Sequence, residues 1–206
     1  MLTKLKQKVQ RLLVAEAKFA HSIGLTPNGI TVIGVVLAFL AALIYAFWRG
    51  DWRLLFLAII LLLFSGFCDA LDGVVARIFG QATVFGGYLD SLLDRYADAV
   101  VFAGIIFGGL CAPEFLYWGL VAIIGSLLVS YSRARAEAAG IKMESIGLAE
   151  RAERLLVLVI AGLVGVFWQP VNVMSAAMVL LAVLTNLTVV QRSVYVFVKT
   201  KKKVVD

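Results

Sequence analysis

Charged residues and cysteines are both scarce in this chain of 206 residues. Asp, Glu, Lys and Arg make up 16% of the sequence, whereas soluble domains average about 25%. The two cysteines, Cys68 and Cys111, are too few and too far apart to indicate a disulfide framework or a thiolate metal site. The single histidine, His21, is expected to be an interfacial residue and not a metal ligand. The composition thus argues against a soluble domain and against a site built on cysteine or histidine.

Hydrophobic residues dominate the sequence instead, at 62% of the chain, with a mean hydropathy of +0.98. About 20 consecutive apolar residues are needed for a helix to cross a bilayer. Segments of this kind lie at about residues 28–47, 54–78, 84–109, 114–136, 153–168 and 170–197. The sequence shows no second soluble domain and no internal repeat. The chain is therefore predicted to be an all-α integral membrane protein with six transmembrane helices.

Positive charge is concentrated on one side of the predicted topology. Five basic residues lie between Lys4 and Lys18, others flank the fourth connection, and four lysines follow residue 198. The connections on the other side carry only Arg49 and Arg53. Because cytoplasmic connections are enriched in Lys and Arg, we predict a multi-pass protein of the cytoplasmic membrane, with both termini and the active site cytoplasmic. This topology accounts for the net charge of +6 without nucleic acid binding.

Residues 1–24 are predicted to form an amphipathic juxtamembrane helix. Apolar residues recur there at helical spacing with basic residues between them, as in helices that lie in the headgroup region. Gly24 is expected to end this helix, and Thr26 and Pro27 are expected to begin the first span. The predicted domains are this helix, a six-helix membrane domain at 25–200 and a basic tail at 201–206.

Four aspartates interrupt the second and third apolar segments in pairs, Asp69 with Asp72 and Asp90 with Asp94. Residues three or four apart share one face of a helix, so each helix presents two carboxylates. An ionised carboxylate in mid-bilayer costs about 2.5–3.5 kcal/mol on insertion scales, so the four need a cationic partner. Ligation by oxygen alone favours Mg²⁺, Mn²⁺ or Ca²⁺ over zinc, and four carboxylates suit a two-metal site.

Glycines and an arginine accompany the aspartates. Gly73 and Gly86 lack side chains where a ligand could approach the backbone, and Arg77 is suited to binding a diphosphate. The full pattern runs Asp69, x2, Asp72, Gly73, x2, Ala76, Arg77, x8, Gly86, x3, Asp90, x3, Asp94. At every fixed position this pattern resembles the signature of the CDP-alcohol phosphotransferase family.

The resemblance implies an enzyme that transfers a phosphatidyl-type group from a CDP-linked lipid to an alcohol and releases CMP. It also implies Mg²⁺ or Mn²⁺ as cofactor and a homodimer among membrane lipids. The four aspartates would be metal ligands, and Asp94 would in addition be the general base. The CDP pocket would comprise Asp69, Asp72, Gly73, Ala76, Arg77 and Gly86.

A second polar group lies at the cytoplasmic ends of the fourth, fifth and sixth predicted spans. Several arginines that face one cavity suit an acceptor carrying a phosphomonoester, because guanidinium groups bind phosphate through paired hydrogen bonds. These segments resemble the branch of the family that uses inositol phosphate. By that resemblance the acceptor phosphate would be held by Ser130, Arg133, Arg154 and Arg192, with Arg135 and Arg151 as further candidates.

Other interpretations stay open from the sequence. Glycerol 3-phosphate competes as the acceptor, CDP-inositol competes as the donor, and a donor lipid could be built on diacylglycerol or archaeol. The arginines could serve only to orient the protein, and intramembrane carboxylates also occur in cation transporters. Asp98 extends the ladder of Asp90 and Asp94 outside the family pattern, and we expect it to pair with a polar group on a neighbouring helix.

Overall fold

The structure is a computed structural model that describes residues 13–143 and 146–203. Every regular element within these ranges is helical, which confirms the predicted all-α class. The helices, in chain order, are α1 (Val14–Ser22), α2 (Pro27–Ala46), α3 (Trp52–Ile78), α4 (Val84–Phe107), α5 (Leu116–Ala138), α6 (Arg151–Phe167) and α7 (Pro170–Lys203). A 3₁₀ turn, Pro113–Phe115, precedes α5.

Local capping sets where the helices near the aspartates begin and end. At the start of α2 the amide of Gly29 donates to Thr26 Oγ1 at 3.2 Å, and a proline occupies the first turn, as predicted. Gly24, with a φ of +81°, follows the end of α1, as predicted. At the start of α4 the amide of Gly86 donates to Thr83 Oγ1 at 2.9 Å. Because the link between α3 and α4 is short, the aspartates near the end of α3 and near the start of α4 lie at the same end of the bundle.

Four of the described helical segments are long and apolar enough to cross a membrane: Pro27–Ala46, Trp52–Ile78, Pro113–Ala138 and Pro170–Lys201. The other two long helices, α4 and α6, were also predicted to span the membrane but do not meet this criterion. Helix α4 carries four charged residues from Asp90 to Asp98, and α6 has only 17 residues. Large apolar side chains are exposed along the bundle, among them Phe39, Leu57, Phe64 and Ile160. Long apolar helices with this much exposed apolar surface identify an integral membrane protein.

Helix α2 sets the distance between the two aspartate-bearing helices, because it packs against both α3 and α4. Glycines allow its close approach to α4. A Cβ on Gly104 would lie 2.3 Å from the carbonyl oxygen of Ala42, and a Cβ on Gly108 would lie 2.0 Å from that of Tyr45. Transmembrane helices commonly meet through such small residues. Helices α5, α6 and α7 form the other half of the bundle, which α6 joins to α3 and α5 joins to α4.

The ends of the chain depart from the predicted domain boundaries. Helix α7 continues to Lys203, past the span end predicted at about 197 and into the predicted tail at 201–206. No Gly or Pro interrupts this segment, and lysine side chains on a helix can reach the headgroup region. Residues 1–12 of the predicted juxtamembrane helix and residues 204–206 of the predicted tail lie outside the described part of the chain.

Candidate functional site

Three of the four predicted metal ligands converge between α3 and α4. Asp69 on α3 and Asp90 and Asp94 on α4 each offer a carboxylate oxygen, and these oxygens lie within 4.8 Å of one another. Among the described residues, Asp90 Oδ1 is buried without a hydrogen-bond partner. Clustered carboxylate oxygens fit a divalent ion such as Mg²⁺ or Mn²⁺, and an unpartnered buried oxygen is suited to metal ligation. The residues present therefore fit the metal that the sequence pattern predicts.

Asp72 lies beside this cluster and is anchored to α2. Its side chain is buried, and Thr31 Oγ1 donates a hydrogen bond of 2.6 Å to its Oδ2. The carboxylate still interacts electrostatically with Asp69 and Asp90. The predicted quartet is thus three clustered carboxylates with a fourth held next to them by a hydroxyl group from α2. Hydrogen bonds of this kind orient metal ligands.

Arg151, the first residue of α6, lies among the aspartates. Its Nη1 forms ion pairs with Asp69 and, at 2.6 Å, with Asp94, and its Nε lies 3.7 Å from Asp98 Oδ1. The sequence grouped Arg151 with the acceptor arginines, but the structure places it against the predicted metal ligands. The reason is that α6 packs on α3 and begins at the level of the aspartates.

Asp98 connects α4 to Arg154, one of the predicted acceptor arginines. It forms an ion pair with Arg154 Nη2 on α6 and accepts a hydrogen bond of 3.3 Å from Ser126 Oγ on α5. These contacts confirm the expected pairing with polar groups on neighbouring helices. Asp98 thus joins α4 to α5 and α6. It lies one helical turn beyond Asp94, at the edge of the candidate metal site.

Gly73 and Gly86 make room for protein side chains at the predicted CDP pocket. A Cβ on Gly73 would lie 3.1 Å from Arg77 Nη1, so the exposed Arg77 side chain folds back over this glycine. A Cβ on Gly86 would lie 2.9 Å from Asn28 Oδ1 of α2. Ala76, one residue before Arg77, is partly buried on the same helix. Gly73 and Gly86 thus leave space that the side chains of Arg77 and Asn28 occupy.

Arg154 and Arg192 are buried and held by backbone carbonyl groups. Arg192 Nε donates to the carbonyl oxygen of Ile146 at 2.8 Å and its Nη1 donates to that of Val129 at 2.5 Å. Arg154 Nη1 donates to the carbonyl oxygen of Ala149 at 2.8 Å. Buried arginines fixed in this way present positive charge at set positions.

Arg133 completes this group from the end of α5. It interacts electrostatically with Arg192, and its own side chain is exposed and pairs with Glu137 at 2.9 Å. Ser130 lies three residues earlier on the same face of α5 and is partly buried. Arg135 is exposed two residues after Arg133, a spacing that directs it to a different face. The structure therefore gathers Arg133, Arg154 and Arg192, with Ser130 on the face of Arg133, and leaves Arg135 apart.

The sequence interpretation missed two polar residues of α2 that border the site, Thr31 against Asp72 and Asn28 against Gly86. They are three residues apart, so they share one face of the helix. That spacing is a signal present in the sequence. It does not show which neighbouring helices the face will contact, because that depends on packing.

Known proteins resemble this chain along most of its length. A sequence profile described as CDP-alcohol phosphatidyltransferase matches residues 24–197. An archaetidylinositol phosphate synthase of Pyrococcus horikoshii is 40% identical over 93% of this chain and 94% of its own length. A phosphatidylinositol phosphate synthase of Mycobacteroides abscessus is 37% identical over 82% of this chain and 76% of its own length.

Solved structures show the same likeness. The phosphatidylinositol phosphate synthase of Mycobacterium tuberculosis with CDP-DAG bound has a TM-score of 0.77 and 31% identity, covering 91% of this chain and 94% of its own. The same enzyme in complex with manganese and citrate has a TM-score of 0.78 and 31% identity, and the match covers 90% of this chain and 88% of that enzyme's chain. The residues that the profile matches include the whole aspartate motif, from Asp69 to Asp94. The chain belongs to the CDP-alcohol phosphatidyltransferase family of membrane-embedded transferases.

Proposed function

We propose that this enzyme transfers a phosphatidyl or archaetidyl group from a CDP-linked lipid to an inositol phosphate and releases CMP. The observation that carries the proposal is the group of Arg133, Arg154 and Arg192, which Asp98 connects to the aspartates. Guanidinium groups beside a metal-binding cluster suit an acceptor with a phosphate at one end and a reacting hydroxyl at the other. The names of the Pyrococcus horikoshii and Mycobacteroides abscessus relatives support the same acceptor.

The four aspartates are proposed to bind two divalent ions, Mg²⁺ or Mn²⁺, at the donor pyrophosphate. When bound, these ions supply positive charge that offsets the charge of the pyrophosphate and of the departing CMP. The proposed CDP pocket comprises Asp69, Asp72, Gly73, Ala76, Arg77 and Gly86. Gly73 follows Asp69 by four residues, so the guanidinium of Arg77 that covers this glycine lies on the helix face of Asp69. Arg77 is therefore placed to contact a phosphate of the donor.

In the proposed reaction the acceptor hydroxyl attacks the β-phosphorus of the donor. A new phosphorus–oxygen bond forms while the bond to the CMP oxygen breaks, which leaves CMP and a phosphodiester lipid. Asp94 accepts the hydroxyl proton as the general base. Its side chain is 21% exposed, so a hydroxyl group can reach the carboxylate.

The acceptor phosphate is proposed to bind Ser130, Arg133, Arg154 and Arg192. The two buried arginines provide fixed charge because backbone carbonyl groups hold them. Arg133 is exposed and can leave Glu137 to close on an incoming phosphate. Arg135 is left out of this set because its side chain is exposed on another face of α5.

In the membrane, we propose that all helices from α2 to α7 span the bilayer, with α1 in the headgroup region and both termini cytoplasmic. The 17 residues of α6 extend about 26 Å, close to the thickness of about 30 Å of the hydrocarbon core. Asp94 and Asp98 of α4 pair with arginines of α6, as charged residues in functional transmembrane segments pair with one another. The domains are proposed as predicted: a juxtamembrane helix, a membrane domain at 25–200 and a basic tail.

A homodimer is proposed through the outer face of α4. Apolar and aromatic side chains are exposed there at helical spacing, namely Phe85, Tyr88, Leu92 and Tyr96. They lie on the side of α4 away from Asp90 and Asp94, because two residues correspond to about 200° around a helix. A dimer through this face would leave the aspartates free to bind the donor in each protomer.

The test is CMP release by the purified protein with Mg²⁺ or Mn²⁺. CDP-archaeol and CDP-diacylglycerol are offered as donors, and inositol 1-phosphate, glycerol 3-phosphate, inositol and serine as acceptors. Release is expected with inositol 1-phosphate and not with inositol or serine, because these two lack the phosphate that the arginines are proposed to bind.

Each other outcome has a defined meaning. Preference for glycerol 3-phosphate would keep the transfer mechanism and overturn the acceptor. No release with any lipid donor would direct the assay to CDP-inositol as the donor.

A further inference from the structure

Arg151 contacts the carboxylates that the proposed mechanism needs for metal. One of its nitrogens, Nη1, is ion-paired with both Asp69 and Asp94. Both carboxylates belong to the cluster whose oxygens lie within 4.8 Å of one another. The Arg151 side chain is only 16% exposed, so this contact is part of the packed interface between α6 and the aspartate-bearing helices.

A guanidinium and a divalent ion compete for these oxygens. Both draw on the same lone pairs, and a cation held between Asp69 and Asp94 repels a second cation a few ångströms away, with little screening in a buried site. Arg151 also neutralises carboxylates that would otherwise be costly within the bilayer. Its contact with the cluster therefore opposes metal binding.

Asp98 offers Arg151 a third carboxylate close by. The Nε of Arg151 lies 3.7 Å from Asp98 Oδ1, and Asp98 already pairs with Arg154 of the acceptor group. A rotation of the guanidinium away from Asp69 and Asp94 would thus keep it paired and bring it toward Arg154. Such a movement needs side-chain torsions only, since Arg151 and Arg154 share one face of α6.

We propose that Arg151 is an internal cation that competes with the divalent ions for Asp69 and Asp94, so that metal binding releases it toward Asp98 and the acceptor phosphate. The inference rests on the proposed function, because it assumes that the aspartates bind metal. Arg151 then has a positioning role: it stays at the aspartates until the metal replaces it, and then adds positive charge to the acceptor group. Binding of metal and binding of the acceptor phosphate would be favourably coupled.

The test measures Mn²⁺ affinity directly, without turnover. The full chain is placed in lipid nanodiscs and the free ion is followed by electron paramagnetic resonance. Replacement of Arg151 by glutamine removes the competitor, so we expect Mn²⁺ to bind about tenfold more tightly, within the range of about 5- to 150-fold usual for coupled sites. Arg135→Gln removes one positive charge from an exposed side chain outside the proposed site, and is the matched control.

A second measurement uses the coupling itself. In the wild-type protein, inositol 1-phosphate is expected to tighten Mn²⁺ binding severalfold, since it stabilises the released position of Arg151. In the Arg151→Gln variant the same ligand should have much less effect. Arg151→Lys keeps the charge but loses the planar guanidinium, whose Nη1 and Nε contact different carboxylates, so its Mn²⁺ affinity should fall between the other two.

The outcomes separate this inference from the proposed function. Tighter Mn²⁺ binding in Arg151→Gln, with little change in Arg135→Gln, supports the competition. Unchanged or weaker binding in Arg151→Gln, or an equal gain in Arg135→Gln, overturns it. If Arg151→Gln does not fold, Arg151→Lys decides, and wild-type affinity in that variant overturns the inference. Failure of the wild-type protein to bind Mn²⁺ would instead remove the metal site and with it the proposed function.

Discussion

Thr31 on α2 donates a hydrogen bond of 2.6 Å to Asp72 on α3, and this bond joins the first span to the candidate metal site. The bond is buried, so it holds one orientation of the carboxylate where water cannot replace it easily. Because α2 also packs on α4, the same helix determines where the carboxylates of both α3 and α4 lie. Thr31 is therefore expected to influence the metal site without binding the metal.

Replacement of Thr31 by valine should weaken metal binding by about tenfold, because a carboxylate that loses its outer hydrogen bond is less well oriented. The measurement is the Mn²⁺ concentration needed for half-maximal CMP release. Thr31→Ser keeps the hydroxyl and should stay near the wild-type value. Equal metal requirements for valine and serine would show that the hydrogen bond has no role in the site.

Asp94 and Asp72 should respond differently to replacement by asparagine. Asp94→Asn removes the proposed general base and should lower kcat by about 100-fold or more, while donor binding largely remains. Asp72→Asn should weaken metal and donor binding together. Donor binding is measured with a non-reacting CDP-lipid analogue and turnover by CMP release. Rates near wild type in both variants would contradict the assigned roles.

Arg133→Ala should raise the acceptor KM by about tenfold or more, because a hydrogen bond to a charged group is lost at a site remote from the reacting hydroxyl. The thermal midpoint should hardly change, since the side chain is exposed. Arg135→Ala is the control, with the same loss of charge two residues away and an unchanged KM. An unchanged KM in Arg133→Ala would remove this residue from the phosphate site.

Arg192→Ala should raise the acceptor KM and also lower the thermal midpoint. The side chain is buried and donates to the carbonyl oxygens of Val129 and Ile146, which would lose their partner. The comparison of both readouts with those of Arg133→Ala tests whether the buried arginine binds phosphate as well as supporting the fold. A lower thermal midpoint with an unchanged KM would show a structural role alone.

Gly104→Ala should destabilise the protein by about 3 kcal/mol, because the added methyl group would meet the carbonyl oxygen of Ala42 at 2.3 Å and push α4 away from α2. Gly87→Ala, also on α4, is the control, since a Cβ there has no described atom within 4 Å. The measurement is thermal unfolding in detergent. A similar midpoint for both variants would mean that α2 and α4 can separate without cost.

Much of the candidate site could be predicted because its residues are spaced at intervals that place them on one face of a helix. The pairs of aspartates, Gly73 and Arg77 needed only the rule that residues three or four apart share a face. Arg151 could not be assigned in this way. It stands three residues before Arg154 in the sequence, yet the start of α6 lies against α3, which brings Arg151 to Asp69 and leaves Arg154 to Asp98.

The sequence by itself determined the membrane class, the family and the residues that carry charge into the bundle, because hydropathy and short-range spacing are local properties of the chain. Only the tertiary structure decided which polar groups meet. Thr31 and Asp72 are 41 residues apart, and Asp98 and Arg154 are 56 apart. Their contacts depend on helix packing, which glycines such as Gly104 permit through their lack of a side chain. No local pattern specifies that packing.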